Sequence, residues 1–160
     1  MRRIAVCAGI IALAAGVNGA FGQNQTAKDH GLYSPSDVTW GPAPASVPPG
    51  AQGAILEGDP AKAGPFTLRL RLPDGYRLPP HYHPAVEHVT VLQGTFILGM
   101  GDKVDTSKEK PLAAGSFAVM PTGMRHFARA QGETIVQLHG TGPWGITYVN
   151  SSDDPRKKQD

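Results

Sequence analysis

Cysteine is almost absent from this chain of 160 residues, because Cys7 is the only one. Cys7 lies in an N-terminal segment that we expect to be removed, so the mature chain would have no disulfide, no thiol nucleophile and no thiolate metal ligand. An excess of charge of one sign is also lacking, since 15 basic and 13 acidic side chains give a formal net charge of +2. A charge this small gives no electrostatic basis for binding nucleic acid, and we expect none.

The N-terminal segment has the pattern of an export signal. Two arginines precede an apolar run over residues 4–17, and small residues follow at Ala20 and Gly22. This order predicts a signal peptide over residues 1–22, with cleavage after Gly22 or, as the alternative, after Ala20. The competing interpretation is a membrane anchor, but the run is shorter than the roughly 20 residues that span a bilayer. We therefore expect a periplasmic or secreted protein with no membrane span after cleavage.

Beyond the signal, the composition changes twice. Residues 23–50 are polar and then rich in proline, which predicts an irregular arm on the body of the protein. Residues 51–149 contain the alternating apolar segments and predict a single folded body. Residues 150–160 are polar and charged, and we expect a flexible, solvated tail.

A period of two dominates the body. Residues 66–72 alternate apolar and polar side chains without a break, which predicts a half-buried strand. Residues 88–93 and 95–99 flank Gly94 and predict a hairpin. The same alternation places Phe117 and Val119 on the inner wall. With 20 glycines and 15 prolines between short strands and no long helical pattern, the fold class is all-β, closed or sandwiched.

Three histidines and one carboxylate form a candidate metal site. His81 and His83 are two residues apart, so both side chains point to one face of a strand. Glu87 has the same parity and reaches that face if the strand resumes in register. His126 follows the turn signal Pro-Thr-Gly, and a hairpin there can bring it back to the first three. Imidazoles with a carboxylate suit a divalent first-row metal, and a set of this kind leaves positions for water or substrate.

At these residues the sequence resembles the cupin superfamily. Two spaced motifs carry the resemblance: Gly75-x5-His81-x-His83-x3-Glu87-x6-Gly94 and Gly115-x5-Pro121-x-Gly123-x2-His126. The family usually has asparagine four residues after the last histidine, where this chain has Ala130. That departure concerns a supporting residue and leaves the ligand pattern intact.

The resemblance implies a double-stranded β-helix, the cupin jelly-roll barrel, often found as a dimer, so a homodimer is expected. It implies one divalent transition metal (Fe, Mn, Zn, Ni or Cu) held by the four motif side chains. In some cupin dioxygenases the equivalent of Glu87 also accepts a proton, so Glu87 is the candidate catalytic residue. The ligand set alone does not select among the metals.

The substrate pocket is predicted from parity alone. If the odd positions of the strand over residues 134–139 face inward, Gln137 and His139 line the cavity. His88 has the parity opposite to the ligands and is expected to face away from the metal. Trp144 and Tyr148 are expected to seal the barrel rather than to contact a ligand.

Three functions remain open from the sequence. The first is an exported, mononuclear metal-dependent cupin that acts on a small molecule in a dioxygenase-like or lyase-like reaction. The second is a non-enzymatic cupin that binds a metal or small molecule, such as a sensor module. The third is a metal-free epimerase or isomerase, which the complete ligand set disfavours.

Overall fold

Nine β-strands form the framework of the protein in a computed structural model, which describes residues 31–158. The strands are β1 (Gly41–Pro42), β2 (Gln52–Glu57), β3 (Gly64–Leu72), β4 (Arg77–Tyr82), β5 (Glu87–Met100), β6 (Glu109–Ala113), β7 (Phe117–Met120), β8 (His126–Gly142) and β9 (Thr147–Tyr148). The helices in this range are short 3-10 turns, and none has the length and apolarity to span a membrane. The all-β prediction is confirmed, whereas the predicted signal peptide over residues 1–22 lies outside the described residues.

Strand β8 is the centre of the curled sheet. Along one edge it pairs antiparallel with most of β5. Along the other edge its first part pairs with β4 and its later part with β3. Six strands lie in the order β1-β2-β3-β8-β4-β9. Strand β5 lies off this path, where it pairs with β8, and β6 and β7 each pair with β5. A strand shared in this way curls the sheet around one core and sets the start of β8 beside β4.

Strand β3 shows why the core lies where it does. Phe66, Leu68, Leu70 and Leu72 alternate along the strand and are all buried, as the period of two predicts. Each side chain of this kind contributes roughly 1.5–3 kcal/mol when it is fully buried. The inward face of β3 is therefore one wall of the barrel interior.

Gly94 does not form the predicted hairpin turn. Both flanking segments belong to the single strand β5, and both pair with β8 rather than with each other. The register shifts on either side of Gln93, and Gly94 has a φ of +71°. Gly132, in β8, has the same φ of +71°. A glycine with positive φ can thus produce a bulge in a long strand instead of a reversal, and the sequence signal is the same for both.

The two glycines give a matched test of this bulge. A Cβ at Gly94 would press on the backbone of Glu133 and Thr134, whereas a Cβ at Gly132 meets nothing within 4 Å. Gly132→Ala should lower the free energy of unfolding by about 1 kcal/mol, from backbone strain alone. Gly94→Ala should lower it by several times as much in denaturant titrations. Equal losses in the two variants would contradict the close approach of β5 to β8.

The prediction for Phe117 and Val119 is wrong. Both face outward from β7 and are 55% and 45% exposed. Their neighbour Met120 is buried, and the register sets Ala118 opposite the buried Val89 of β5. Alternation separated the two faces of this strand correctly. The prediction places the wrong face inward, because Phe117 and Val119 are larger apolar residues than Ala118 on the inner face.

The expected arm and tail both contact the barrel. In the arm, the Trp40 ring lies 4.2 Å from the guanidinium carbon of Arg71. At the C-terminal end, residues 151–153 and 155–158 form short 3-10 helices instead of a wholly solvated tail. Asp154 is buried between them, where its carboxylate accepts hydrogen bonds from Arg156, which also donates to the Ile146 carbonyl at 3.1 Å. This ion pair fixes residues that composition alone assigned to solvent.

Candidate metal centre

Three histidines, two on strands and one directly after a strand, meet inside the barrel. His81 is near the end of β4, His83 follows that strand directly, and His126 begins β8. His81 and His126 are cross-strand partners. Each of the three offers a ring nitrogen, these nitrogens all lie within 4.8 Å of one another, and each residue is at most 3% exposed. The three histidines could therefore hold a metal ion.

Local sequence explains how the three histidines converge. The spacing of two directs His81 and His83 inward, while Tyr82 between them is only half-buried. The turn before His126 is closed by the Met124 N–H, which donates to the Pro121 carbonyl at 3.0 Å. In the same turn the Gly123 N–H donates to the His83 carbonyl at 2.9 Å. The turn is thus attached to the segment that carries the other two histidines, which is the end of β4 and the residue directly after it.

Backbone carbonyls orient all three imidazole rings. The Nδ1 atom lies 2.7 Å from the Pro79 oxygen in His81, 2.8 Å from the Gly145 oxygen in His83 and 2.9 Å from the Met124 oxygen in His126. A carbonyl only accepts hydrogen bonds, so each Nδ1 must carry the proton. The Nε2 atoms are then left with free lone pairs, and this is the arrangement that commonly orients histidine ligands of metals.

Glu87 approaches the same point from the start of β5. Its Oε2 lies 3.2 Å from Nε2 of His83 and 3.7 Å from Nε2 of His126. Ligand bonds of about 2.0–2.2 Å at angles of roughly 90–120° place neighbouring donors about 2.8–3.8 Å apart, so these separations suit a shared ion. Glu87 does not join the three histidines in the group whose donors all lie within 4.8 Å of one another.

His83 provides the sharpest indication that the residues fit a cation. Its Nε2 is buried and has no hydrogen-bond partner among residues 31–158, although Glu87 is close. With its proton on Nδ1, the His83 Nε2 can only accept a hydrogen bond, so it gives none to the Glu87 carboxylate. A buried polar atom without a partner is costly, and a metal ion would satisfy both this nitrogen and the carboxylate.

Burial keeps two of the imidazoles neutral. Desolvation, together with the neighbouring His126 and His83, holds the pKa of His81 well below its ordinary value of 6.5. Desolvation also lowers the pKa of His126, against an opposing contribution from the Glu87 carboxylate. Neutral imidazole is the form that ligates metals, so protons compete weakly at these positions near neutral pH.

An apolar cavity adjoins the histidines. It has a volume of about 410 Å³, its open mouth included, and the four candidate ligands contribute to its wall. Aliphatic and aromatic side chains from several strands form most of the remaining wall, among them Leu70, Val89, Phe96, Leu98, Val136 and Leu138. Such a wall favours a small, largely uncharged ligand.

The predicted pocket residues Gln137 and His139 lie on the wrong face of β8. Val136 and Leu138 of that strand are buried and line the cavity, so the even positions face inward. On the outer face, Gln137 accepts a hydrogen bond from Arg69 at 3.0 Å, and His139 stacks on His88 at 4.9 Å between ring centroids. The prediction is wrong because it assumed that the odd positions of this strand face inward, whereas the even positions do.

Trp144 is a residue of this site that sequence reasoning missed, since it was expected only to seal the barrel. It lines the cavity and stacks on His83, with ring centroids 4.7 Å apart and planes inclined by 19°. Its backbone N–H donates to the Pro60 carbonyl, which holds the segment after β8 against the loop before β3. No motif spacing marks Trp144, since its position depends on the return of the chain after β8.

The curled β-sheet, together with the solved structures that resemble it, defines the fold as the cupin jelly roll. The chain is similar to an RmlC-like cupin of Shewanella frigidimarina, with 15% identity, a TM-score of 0.54, and coverage of 69% of this chain and 88% of that one. It is also similar to a protein of Methylibium petroleiphilum PM1 described as a "putative acetylacetone dioxygenase", with 20% identity, a TM-score of 0.59, and coverage of 81% and 88%. Identities this low establish the fold alone.

The particular family follows from the sequence match. The chain belongs to the family described as a domain of unknown function, DUF4437, whose model matches residues 32–153. Germin-like protein 5-1 of Oryza sativa subsp. japonica is 36% identical over 83 residues, which cover 46% of this chain. The match spans 38% of the length of that rice protein.

Proposed function

We propose that the protein is a mononuclear metal-dependent cupin that acts on a small molecule in a dioxygenase-like or lyase-like reaction. The observation that carries the proposal is the buried histidine cluster, in which carbonyls hold every Nδ1 and leave every Nε2 free beside an apolar cavity. His81, His83, His126 and Glu87 would hold one divalent ion, with Fe, Mn, Zn, Ni and Cu as candidates. When bound, such an ion polarises an oxygen of the substrate.

The protein residues supply orientation, exclusion of water and a proton acceptor. The carbonyls of Pro79, Met124 and Gly145 fix the rings, so the ligand nitrogens need no rearrangement to bind. The apolar wall excludes water from the substrate, and Glu87 is the one carboxylate among the described residues that line the cavity. Glu87 would take up a proton from an acidic C–H or O–H group of the substrate.

The Methylibium protein, described as a "putative acetylacetone dioxygenase", supports a dioxygenase-like reaction for this chain. Export to the periplasm or the medium is part of the proposal and rests on the signal pattern of residues 1–22. A homodimer is also part of it and rests on the cupin resemblance.

Turnover separates the enzyme from a binding module. Metal-free protein is loaded in turn with each candidate metal. At least one loaded form should consume O₂ with a diketone or phenolic substrate, or should eliminate the leaving group of a β-leaving-group substrate. Glu87→Gln, which keeps the size of the side chain, should lower kcat by at least about 100-fold through loss of the proton acceptor. One bound metal per chain with no turnover on any of these substrates would instead favour the metal-binding or sensor function.

A further inference from the structure

We infer that the indole N–H of Trp144 is a ligand-binding group, which donates a hydrogen bond to an oxygen of the molecule in the cavity. The inference rests on the proposed function for the identity of the cavity. Trp144 is 7% exposed, and its ring forms part of the cavity wall.

The first observation is an unsatisfied donor. Nε1 of Trp144 is buried and has no acceptor within the part of the chain that the structure describes. An indole N–H has only this one hydrogen bond to give, and buried tryptophans usually find a partner for it. Leaving such a donor unpaired is costly, so an acceptor in the cavity would stabilise the protein as well as the ligand.

The second observation is the scarcity of other donors around the cavity. Among the described lining residues, Trp144 is the one polar side chain besides the four candidate metal ligands. The three histidines use Nδ1–H on backbone carbonyls, and the Glu87 carboxylate faces Nε2 of His83 and of His126. A ligand oxygen that does not bind the metal can therefore find a side-chain donor only at Trp144.

The third observation is that Trp144 is held in place. Its ring stacks on His83 and packs 5.6 Å, between centroids, from Phe66. The next residue, Gly145, supplies the carbonyl that orients His83. One short segment after β8 thus positions a metal ligand and the donor together, which is the preorganisation that specific binding requires.

These observations define the ligand class. The wall carries no cationic side chain among the described residues, so it offers no partner for a free carboxylate or phosphate group beyond the metal itself. The ligand is a small, mainly apolar molecule with two oxygens, one for the metal and a carbonyl, ether or hydroxyl oxygen for Trp144. A 1,3-diketone has this pattern, and acetylacetone is the simplest soluble probe.

Nuclear magnetic resonance of the indole N–H tests the inference directly. The chain has two tryptophans, and Trp40 lies under Arg71, outside the cavity wall. In a Trp40→Phe background labelled with ¹⁵N-tryptophan and loaded with Zn²⁺, one indole signal remains. Millimolar acetylacetone should move this proton signal downfield, as expected for a new hydrogen bond. A saturable binding curve with no change of this signal would overturn the inference, and so would no binding at all.

A second variant measures the contribution to affinity. Trp144→Phe keeps an aromatic ring beside His83 and removes the N–H. Zn²⁺ affinity should remain within a few-fold of the parent protein, and the dissociation constant for acetylacetone should rise about tenfold. An unchanged dissociation constant for acetylacetone would contradict the donor role. Equal losses of Zn²⁺ and acetylacetone affinity would show a structural role only and would likewise overturn it.

The same experiments distinguish this inference from the proposed function. If Zn²⁺ does not bind but acetylacetone still shifts the indole signal, the metal proposal fails and the donor role stands. If Zn²⁺ binds through the histidines and the indole signal stays fixed at saturating acetylacetone, the donor role fails and the metal proposal stands.

Discussion

His83→Ala and His126→Ala are each expected to lower metal affinity by at least about 100-fold, which is the upper end of the losses caused by removing outer partners of metal ligands. Each variant removes a buried Nε2 atom, whose lone pair is free because the proton of the ring is on Nδ1, hydrogen-bonded to a backbone carbonyl. The remaining donors cannot move to replace it, because their rings are held by the backbone. Isothermal titration calorimetry and elemental analysis of the purified proteins measure the loss.

His139→Ala is the matched control for His126→Ala. Both residues belong to β8, but His139 lies on the outer face, stacked on His88. The control should retain one metal per chain with the affinity of the wild type. Undiminished metal content in both ligand variants, with circular dichroism showing intact folds, would refute the assignment of the site.

The metal-free protein is expected to lose stability steeply as the pH falls below 6.5. The pKa values of His81 and His126 in the folded state lie below the ordinary value of 6.5, chiefly because the rings are buried. Below pH 6.5 the unfolded chain takes up protons that the folded protein excludes, so acid favours unfolding. Each group contributes a slope of up to about 1.4 kcal/mol per pH unit, from pH 6.5 down to its folded-state pKa. Above pH 6.5 both states are neutral at these rings and the slope disappears.

Urea titrations of chelator-treated protein between pH 7.5 and about 5 measure this slope, since carboxylates mostly titrate at lower pH. The pKa values of Asp59 and Asp105, for example, are lowered from 3.8 by hydrogen bonds. The double variant His81→Asn/His126→Asn keeps polar groups in place but cannot titrate. It should show a clearly smaller slope, whereas equal slopes in the two proteins would contradict the burial of neutral imidazoles.

The inward direction of the metal residues was predictable from the sequence because their geometry is local. Two histidines separated by one residue face the same way on any strand, and the turn before His126 has a clear Pro-Thr-Gly signal. The cupin fold, which was predicted from motifs that include those same spacings, is confirmed. The ligand roles themselves stay a prediction until a metal is measured.

The errors have a common physical origin. Alternation separates two faces of a strand but does not say which face is inward when both carry apolar side chains. In β7 the outer face has Phe117 and Val119, whereas in β8 the inner face has Val136 and Leu138. Long-range pairing with β5 decides both cases, and no local pattern contains that pairing. Gly94 illustrates the same point. The segments on its two sides both pair with β8, and only this long-range pairing distinguishes a bulge from a hairpin turn.

Anomalous X-ray diffraction from crystals of protein loaded with one of the candidate transition metals tests the central claim most directly. The expected result is a single metal peak per chain within about 2.3 Å of Nε2 of His81, His83 and His126, with a carboxylate oxygen of Glu87 completing the protein ligands. A peak bound elsewhere, or no peak between the three rings at saturating metal, would contradict the account.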